Sequence, residues 1–407
     1  MVPKGWEHTT FDNHIDCLTG FAFSSDGYSD EKNGTRLLRG DNIEPGKLRW
    51  ENAKFWPEIY SEKLNRYFLL EGDFVIALDR TWVSSGLKVA EVIKSDLPCL
   101  LVQRVMRIRS KKTLEQNLLR QYFSGYLFEQ YVKKNQTATA VPHISPNDVK
   151  GFVLLLPPLS EQKKIAQILS AWDSTISVTE KLLTNSQQQK KALMQQLLTG
   201  KKRLLDENGM RFSGEWKWLK AVELFKTISQ KNNSEDEELL AVTQDFGVLP
   251  RSMLERRVVM PDGSTKGYKL VVPGNFIISL RSFQGGLEYS SYRGLVSPAY
   301  TVLTPIKKIA DEFYKQYYKS YDFIGHLAVA VIGIRDGKQI SYEDFSFLRL
   351  PYPEIEEQRK IAAVLSAADA EISTLEKKIA CLKDEKKALM QQLLTGKRRV
   401  VVDADAA

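Results

Sequence analysis

The chain is poor in the residues that would make it a disulfide scaffold, a metalloprotein or a membrane protein. Its 3 cysteines (Cys17, Cys99, Cys381) are scattered and odd in number, so no disulfide framework or zinc ribbon is implied, and a reducing cytosol fits. The 4 histidines (His8, His14, His143, His326) include no ligand pair at helical spacing. His14, Asp16 and Cys17 are close in sequence but read as loop and strand residues rather than a metal site. There is no signal peptide and no uncharged apolar run near 18 residues, so no membrane span is expected. Catalytic signatures are missing as well. No GxxxxGK(S/T) phosphate loop occurs, no glycine-rich dinucleotide turn, and no GxSxG elbow. Pro261-Asp262 begins a nuclease carboxylate pattern, but the partner it needs on a nearby strand is absent. The chain is therefore not expected to be an enzyme by itself, nor to hold a metal or cofactor.

What is present is length, positive charge and a repeat. At 407 residues the chain can form two or three domains, each with a core. A net charge of +8 and a pI near 9.1 permit a polyanionic partner. A long segment occurs twice, at 161–203 and 357–399, with a constant offset of 196 and 26 of 43 paired positions identical. Its clearest string, KKALMQQLLTGK, stands at Lys190–Lys201 and again at Lys386–Lys397.

The repeat has the period of a coiled coil. Ile165, Leu169, Trp172, Ile176, Thr179, Leu183, Ser186, Lys190, Leu193 and Leu197 alternate four and three residues apart. Ile361, Leu365, Ala368, Ile372, Leu375, Ile379, Leu382, Lys386, Leu389 and Leu393 repeat the same offsets. A 3.5-residue period held for about five heptads is a seam between two helices, which are expected to pair with each other. Lys190 and Lys386 interrupt both seams at equivalent positions, which costs stability and can fix register. Prolines stand before each helix (Pro157, Pro158; Pro351, Pro353), and Gly200 and Gly396 follow its end, as helix termini prefer.

Between the repeats lie two globular units that restart the same plan. Glu71–Arg80 (EGDFVIALDR) reads as a turn and a buried strand, followed by a polar loop over Thr81–Gly86. Leu100–Arg109 reads as a strand carrying Arg104, Arg107 and Arg109, and Gln116–Lys133 as a helix. In the second unit Pro273–Arg281 (PGNFIISLR) matches the buried strand, Ser282–Gly286 the loop, and Asp311–His326 a helix. His143–Ser145 aligns with Gln339–Ser341. The chain is thus a tandem duplication whose heads have diverged far more than its helices.

The heads carry the residue types that contact base edges and phosphates. The candidates in the first are Arg36, Arg39, Asn42, Arg80, Trp82, Ser84, Ser85 and Lys88. In the second they are Gln244, Arg251, Lys266, Arg281, Ser282, Gln284 and Tyr289. The glycine-flanked loops after Phe74 and Phe276 are preferred, because a loop on a rigid strand can enter a groove.

The strings LSEQKKIAQILSAWD with KKALMQQLLTGKKR, and IEEQRKIAAVLSAAD with KKALMQQLLTGKRR, closely resemble the two conserved regions of the specificity subunit of type I restriction-modification enzymes. SGEWKW after the first repeat, and AVTQDFGVLPRS and VSPAYTVL in the second head, look like that family's target recognition domains. The resemblance covers the whole chain and implies an α+β fold of two mixed α/β recognition domains and two long helices. Residues 1–156 and 205–352 would be the recognition domains, 157–204 and 353–400 the spacer helices in an antiparallel coiled coil with an internal pseudo-two-fold, and 401–407 a tail. It further implies that each head reads one half of a split, asymmetric site on double-stranded DNA, the halves about one helical turn (~34–36 Å) apart. Two methyltransferase subunits would bring S-adenosylmethionine, and two restriction subunits ATP- and Mg-dependent translocation and cleavage, in a prokaryotic cytoplasm. Two alternatives stay open: the specificity subunit of a fused restriction-methylation enzyme, and a coiled-coil scaffold that binds only proteins.

Overall fold

The run Phe74–Ala77 is apolar at every position because both faces of its strand are covered. In the computed structural model, which describes residues 2–32, 34–57, 62–231, 233, 237–244, 246–254, 265–279, 282–330 and 340–402, it is an inner strand of the first head. The antiparallel sheet runs in the order Val89–Glu91, Phe74–Ala77, Val105–Ser110, Ile15–Thr19. Phe74, Ile76, Met106 and Ile108 face an aromatic core of Phe11, Tyr122, Phe123, Phe128 and Phe152. Val75, Ala77 and Val105 pack on the other face with Leu38, Cys99 and Leu101, from a second sheet formed by Thr35–Leu38, Lys54–Trp56 and Cys99–Leu101.

The second head repeats this frame. Its sheet runs Phe225–Ile228, Thr301–Pro305, Phe276–Ile278, Glu288–Tyr289. Its core is richer in aromatics: Phe225, Phe276, Phe313, Tyr314, Tyr317, Tyr318, Phe323 and Phe345 are all fully buried. In each head a strand near the start pairs antiparallel with the last strand, Glu7–Thr10 with Val153–Leu156 and Lys217–Lys220 with Arg349–Tyr352. The aligned Ser145 and Ser341 are N-caps, each closing a capping box with the aspartate three residues on, Asp148 or Asp344.

Three expected elements are divided. The Gln116–Lys133 helix is two, Gln116–Phe123 and Tyr126–Asn135, because the chain turns at Ser124-Gly125, where a Cβ on Gly125 would lie 3.1 Å from two carbonyl oxygens. The Asp311–His326 helix is likewise Asp311–Tyr317 and Tyr321–Ala330. Leu100–Arg109 is two strands in different sheets, Cys99–Leu101 and Val105–Ser110, and Arg104 has a left-handed backbone (φ 66°) at the break. The Thr81–Gly86 loop contains a small hairpin, Trp82–Val83 with Gly86–Leu87.

The repeats are continuous helices, Leu159–Leu197 and Ile355–Leu393, each 39 residues and so roughly 58 Å long. Every position of the heptad seam is buried or half-buried. Gly200 and Gly396, both left-handed (φ 70° and 68°), follow their ends. Two compact units result, Met1–Thr179 with Lys378–Ala407, and Glu180–Lys377. Each holds one head, part of one helix and the complementary part of the other.

Within each unit the helices run antiparallel, and the same polar contacts fix their register. In the first, Glu161 accepts from Trp6 Nε1 (3.2 Å) and Arg399 Nε (2.9 Å), with the Arg399 guanidinium 5.6 Å from the Trp6 ring centre. In the second, Glu357 accepts from Trp216 Nε1 (2.9 Å) and Arg203 Nη2 (2.7 Å), with Arg203 5.7 Å from the Trp216 ring. The seam lysines are answered in the same reciprocal way. Lys386 pairs with Asp173 (2.6 Å), which also accepts from Gln121 (2.8 Å). Lys190 pairs with Asp369 (2.5 Å), which also accepts from Gln316 (2.7 Å). Head, helix start and opposing helix end are thus joined at a buried glutamate and, further along, at a half-buried aspartate.

Removing one member of a buried pair typically costs about 3–5 kcal/mol, because the other charge is left uncompensated. Glu357→Gln, at a side chain with no exposure, should therefore lower the thermal unfolding midpoint clearly. Glu356→Gln, at an exposed neighbour that pairs with the exposed Arg359, should change stability by less than about 0.5 kcal/mol. Equal shifts for the two variants would show that the clasp does not hold the unit.

Candidate nucleic-acid interface

The first head gathers several of its candidate residues at one end of the central sheet. Arg39, Asn42, Arg80, Ser85 and Lys88 line a cleft of about 810 Å³, together with Asp41, Glu44, Arg49 and Asn52. Arg80 follows the buried strand and, like Arg104, is left-handed, with φ 48°. Neighbouring hydrogen bonds impose this conformation. Arg80 N donates to Pro142 O (2.6 Å), and the buried Thr81 hydroxyl donates to Ala77 O (2.7 Å). Burial lowers the Lys88 ammonium from its usual range; Asp41 opposes the shift, and Arg80 and Arg49 add to it. Lys88 is thus half-buried between Asp41 and the cations Arg80 and Arg49.

Other candidates are held by the head itself. Arg36 donates to the carbonyls of Ser95 (3.1 Å) and Leu97 (2.9 Å) and lies over Trp50. Asn42 is buried; it accepts from Arg39 N and donates to Arg49 O, so it shapes the cleft wall. Trp82 donates to Glu129 (3.1 Å) and carries Lys133 4.2 Å from its ring centre. Ser84 and Ser85 form the exposed hairpin tip. Of the arginines read as projecting from one strand, Arg107 pairs with Asp16 and Arg109 with the buried Asp73. Arg104 is the exposed one, 3.7 Å from Asp79. Sequence reasoning did not select Arg49 or Arg104; the glutamates and aspartate beside them gave no cue to which arginine reaches solvent.

In the second head Arg281 lies outside the described residues, as do the Gln284 side chain and Pro261-Asp262. Gln284 belongs to the short helix Ser282–Gly285, where Ser282 is buried and its hydroxyl accepts from Ser279 N (2.8 Å). Gln244 stands exposed at the turn between Leu240–Thr243 and Gly247–Pro250, beside that helix. Lys319, unselected from the sequence, ties the two by donating to Gln244 O (3.3 Å) and Gly285 O (3.0 Å). Arg251 follows the same hairpin, and Lys266 is exposed on a separate turn. Tyr289 packs on Phe276 in the sheet, with Lys315 5.5 Å from its ring centre.

A second surface recurs in both units where head meets helices. In the first, Tyr126, Asp173, Ile176, Lys386, Lys387, Met390, Gln391 and Leu394 line a groove of about 360 Å³. In the second, Tyr321, Asp369, Ile372, Lys190, Lys191, Met194, Gln195 and Leu198 line one of about 790 Å³. Lys387 lies 5.2 Å from the Tyr126 ring centre and Lys191 5.7 Å from that of Tyr321. Both tyrosines are exposed, at 46% and 78%. The heads have diverged, yet each contributes a tyrosine to the same lysine pair.

Cysteine chemistry has no support here: burial pushes the Cys17 and Cys99 thiols up to about 12, far from the thiolate form at neutral pH. Among the described residues no group of three or more His, Cys, Asp or Glu is placed to hold a metal ion, and no helix is long and apolar enough to cross a membrane.

Known proteins resemble the chain in sequence and in fold. The chain is 35% identical over 182 residues to the EcoAI specificity subunit of Escherichia coli, covering 44% of this chain and 30% of that protein. It is 32% identical over 209 residues to the MjaVIII specificity subunit of Methanocaldococcus jannaschii, covering 51% and 48%. The matches thus span half or less of these two relatives. A putative specificity subunit of the same archaeon, MjaX, aligns over 98% of this chain and 95% of its own length at 25% identity. The crystal structure of a type I restriction-modification S subunit from M. genitalium shares the fold, with a TM-score of 0.57 at 13% identity over 96% of both chains. A chain from a structure of type I restriction-modification complex assembly does so with a TM-score of 0.56 at 18% identity, over 98% of this chain and all of that one. The family model described as the type I restriction modification DNA specificity domain matches residues 28–185 and again 215–383, so the chain belongs to that family and carries its domain twice.

Proposed function

We propose that the chain is the non-catalytic recognition subunit of a DNA-modifying and restricting complex, reading a split site with its two heads. The duplication carries this reading. Two specificity domains with different loops sit on helices whose clasps are the same, which suits two different half-sites and one fixed spacing. Lysine and arginine contacts to phosphate supply salt-dependent affinity. Side chains at the strand ends supply sequence, at roughly 1–3 kcal/mol per good bidentate contact. The antiparallel helices set the unread gap between the halves.

The chemistry belongs to partners. Each tyrosine–lysine groove receives one of two adenine methyltransferase subunits, which bring S-adenosylmethionine and turn the target base out of the stack at a cost of a few kcal/mol. Two restriction subunits bring ATP- and Mg-dependent cleavage, in the cytoplasm of a prokaryote. Nothing in the fold favours the fused-enzyme or protein-scaffold alternatives over this one.

Two experiments test the reading. Inserting one heptad into both helices adds about 10 Å of rise. This should lengthen the unread gap by up to about three base pairs and leave both half-sites unchanged; an unchanged gap defeats the spacer role. Native mass spectrometry of the co-expressed complex tests docking. Tyr126→Ala or Tyr321→Ala should leave one methyltransferase bound, and the double substitution none. Two bound subunits on the doubly substituted chain would place docking elsewhere.

A further inference from the structure

Two non-glycine residues of the described chain have a left-handed backbone, Arg80 and Arg104, and both stand at the same end of the first head's sheet. They are joined there, since Leu78 N donates to Arg104 O (2.9 Å). A left-handed conformation is costly for a side chain with a Cβ, and it persists where surrounding contacts impose it, most often at functional sites. The contacts that impose it are polar and dense. Asp79 Oδ1 lies 2.8 Å from His143 Nδ1 and 3.7 Å from Arg104 Nη1. Asp79 also bridges the His143 backbone, and Ile144 N donates to Leu78 O (3.0 Å). Arg104 itself is 65% exposed in its side chain, unlike Arg107 at 7%, three residues on and inside the strand. Arg104 is thus strained and exposed, and it is steered by a half-buried aspartate that His143 holds in place.

We propose that Arg104 is a sequence-determining residue of the first head, reading a guanine, with Asp79 and His143 as its positioning residues. The arginine fork matches guanine O6 and N7 in the major groove, the commonest specific contact between a side chain and a base. Arg80 and Lys88, lining the adjoining cleft, hold the flanking phosphates. The inference rests on the recognition role proposed above and adds to it one residue and one base.

Glycine adopts this backbone without strain, so Arg104→Gly should fold at least as stably as the wild type, which separates function from folding. The test co-expresses each variant with the methyltransferase partner, maps the modified motif, and titrates fluorescent duplexes at several salt concentrations. Arg104→Gly should make one G·C position in one half-site degenerate, with a loss of discrimination there of about ten- to hundred-fold. Arg104→Lys should keep affinity for unrelated duplex yet lose the same discrimination, and Asp79→Asn should weaken that position alone. Lys88→Gln, the phosphate comparator, should weaken binding evenly across sequences and lower the salt slope by about one. If Arg104→Gly leaves every motif position intact and behaves like Lys88→Gln, the arginine is a phosphate contact and the inference is overturned. A wild-type complex with no motif at all would overturn the recognition reading, and the inference with it.

Discussion

Each unit of this protein depends on one buried carboxylate at the start of a long helix. Glu161 and Glu357 would be costly to bury alone, and each is satisfied by an indole from its head and a guanidinium from the end of the opposing helix. Satisfying that charge demands antiparallel helices in one register, and demands that the head's first strand lie beside them. The seam lysines impose the same register further along, because Lys386 and Lys190 each pair with a carboxylate on the opposite helix, Asp173 and Asp369. Polar groups in an apolar seam lower stability but exclude slipped pairings. Charge therefore sets the specificity of assembly, and the leucine and isoleucine positions between supply its strength.

This division explains why, within this chain, the two heads differ from each other far more than the two helices do. A helix that must present Glu, Asp, Lys and Arg at matched heights tolerates little change, and KKALMQQLLTGK stands intact in both copies. A head needs only its sheet, its aromatic core and its clasp residues. Its strand-end loops are free to vary, and those loops carry the exposed cations. The frame of each unit and the proposed reading surface are thus set by separate residues.

The frame was legible in the sequence because periodicity and self-similarity report directly on geometry. Heptads gave the seam, prolines and glycines its limits, and the offset of 196 the duplication. The reading surface was much less legible, because a single chain does not reveal how its charges pair. Arg36, Asn42 and Trp82 have suitable side chains, but their hydrogen bonds stay within the head. Arg107 and Arg109 are indistinguishable in sequence from Arg104, and only the fold shows that aspartates from other strands meet the first two. The break at Gly125 is not legible in the sequence because flanking helical residues keep a near-continuous apolar pattern across it. The answering aspartates of the seam were equally hidden, since their partners are near in space only once the helices run antiparallel.

The central claim is that two unlike heads on one antiparallel pair of helices read one split DNA sequence. Single-molecule sequencing of genomic DNA from cells co-expressing the chain and its methyltransferase partner tests this most directly. Modified adenines are expected in a single motif of two unlike halves separated by a constant number of unread base pairs. A continuous motif, a variable gap, or no modification above background despite a stable complex would contradict it.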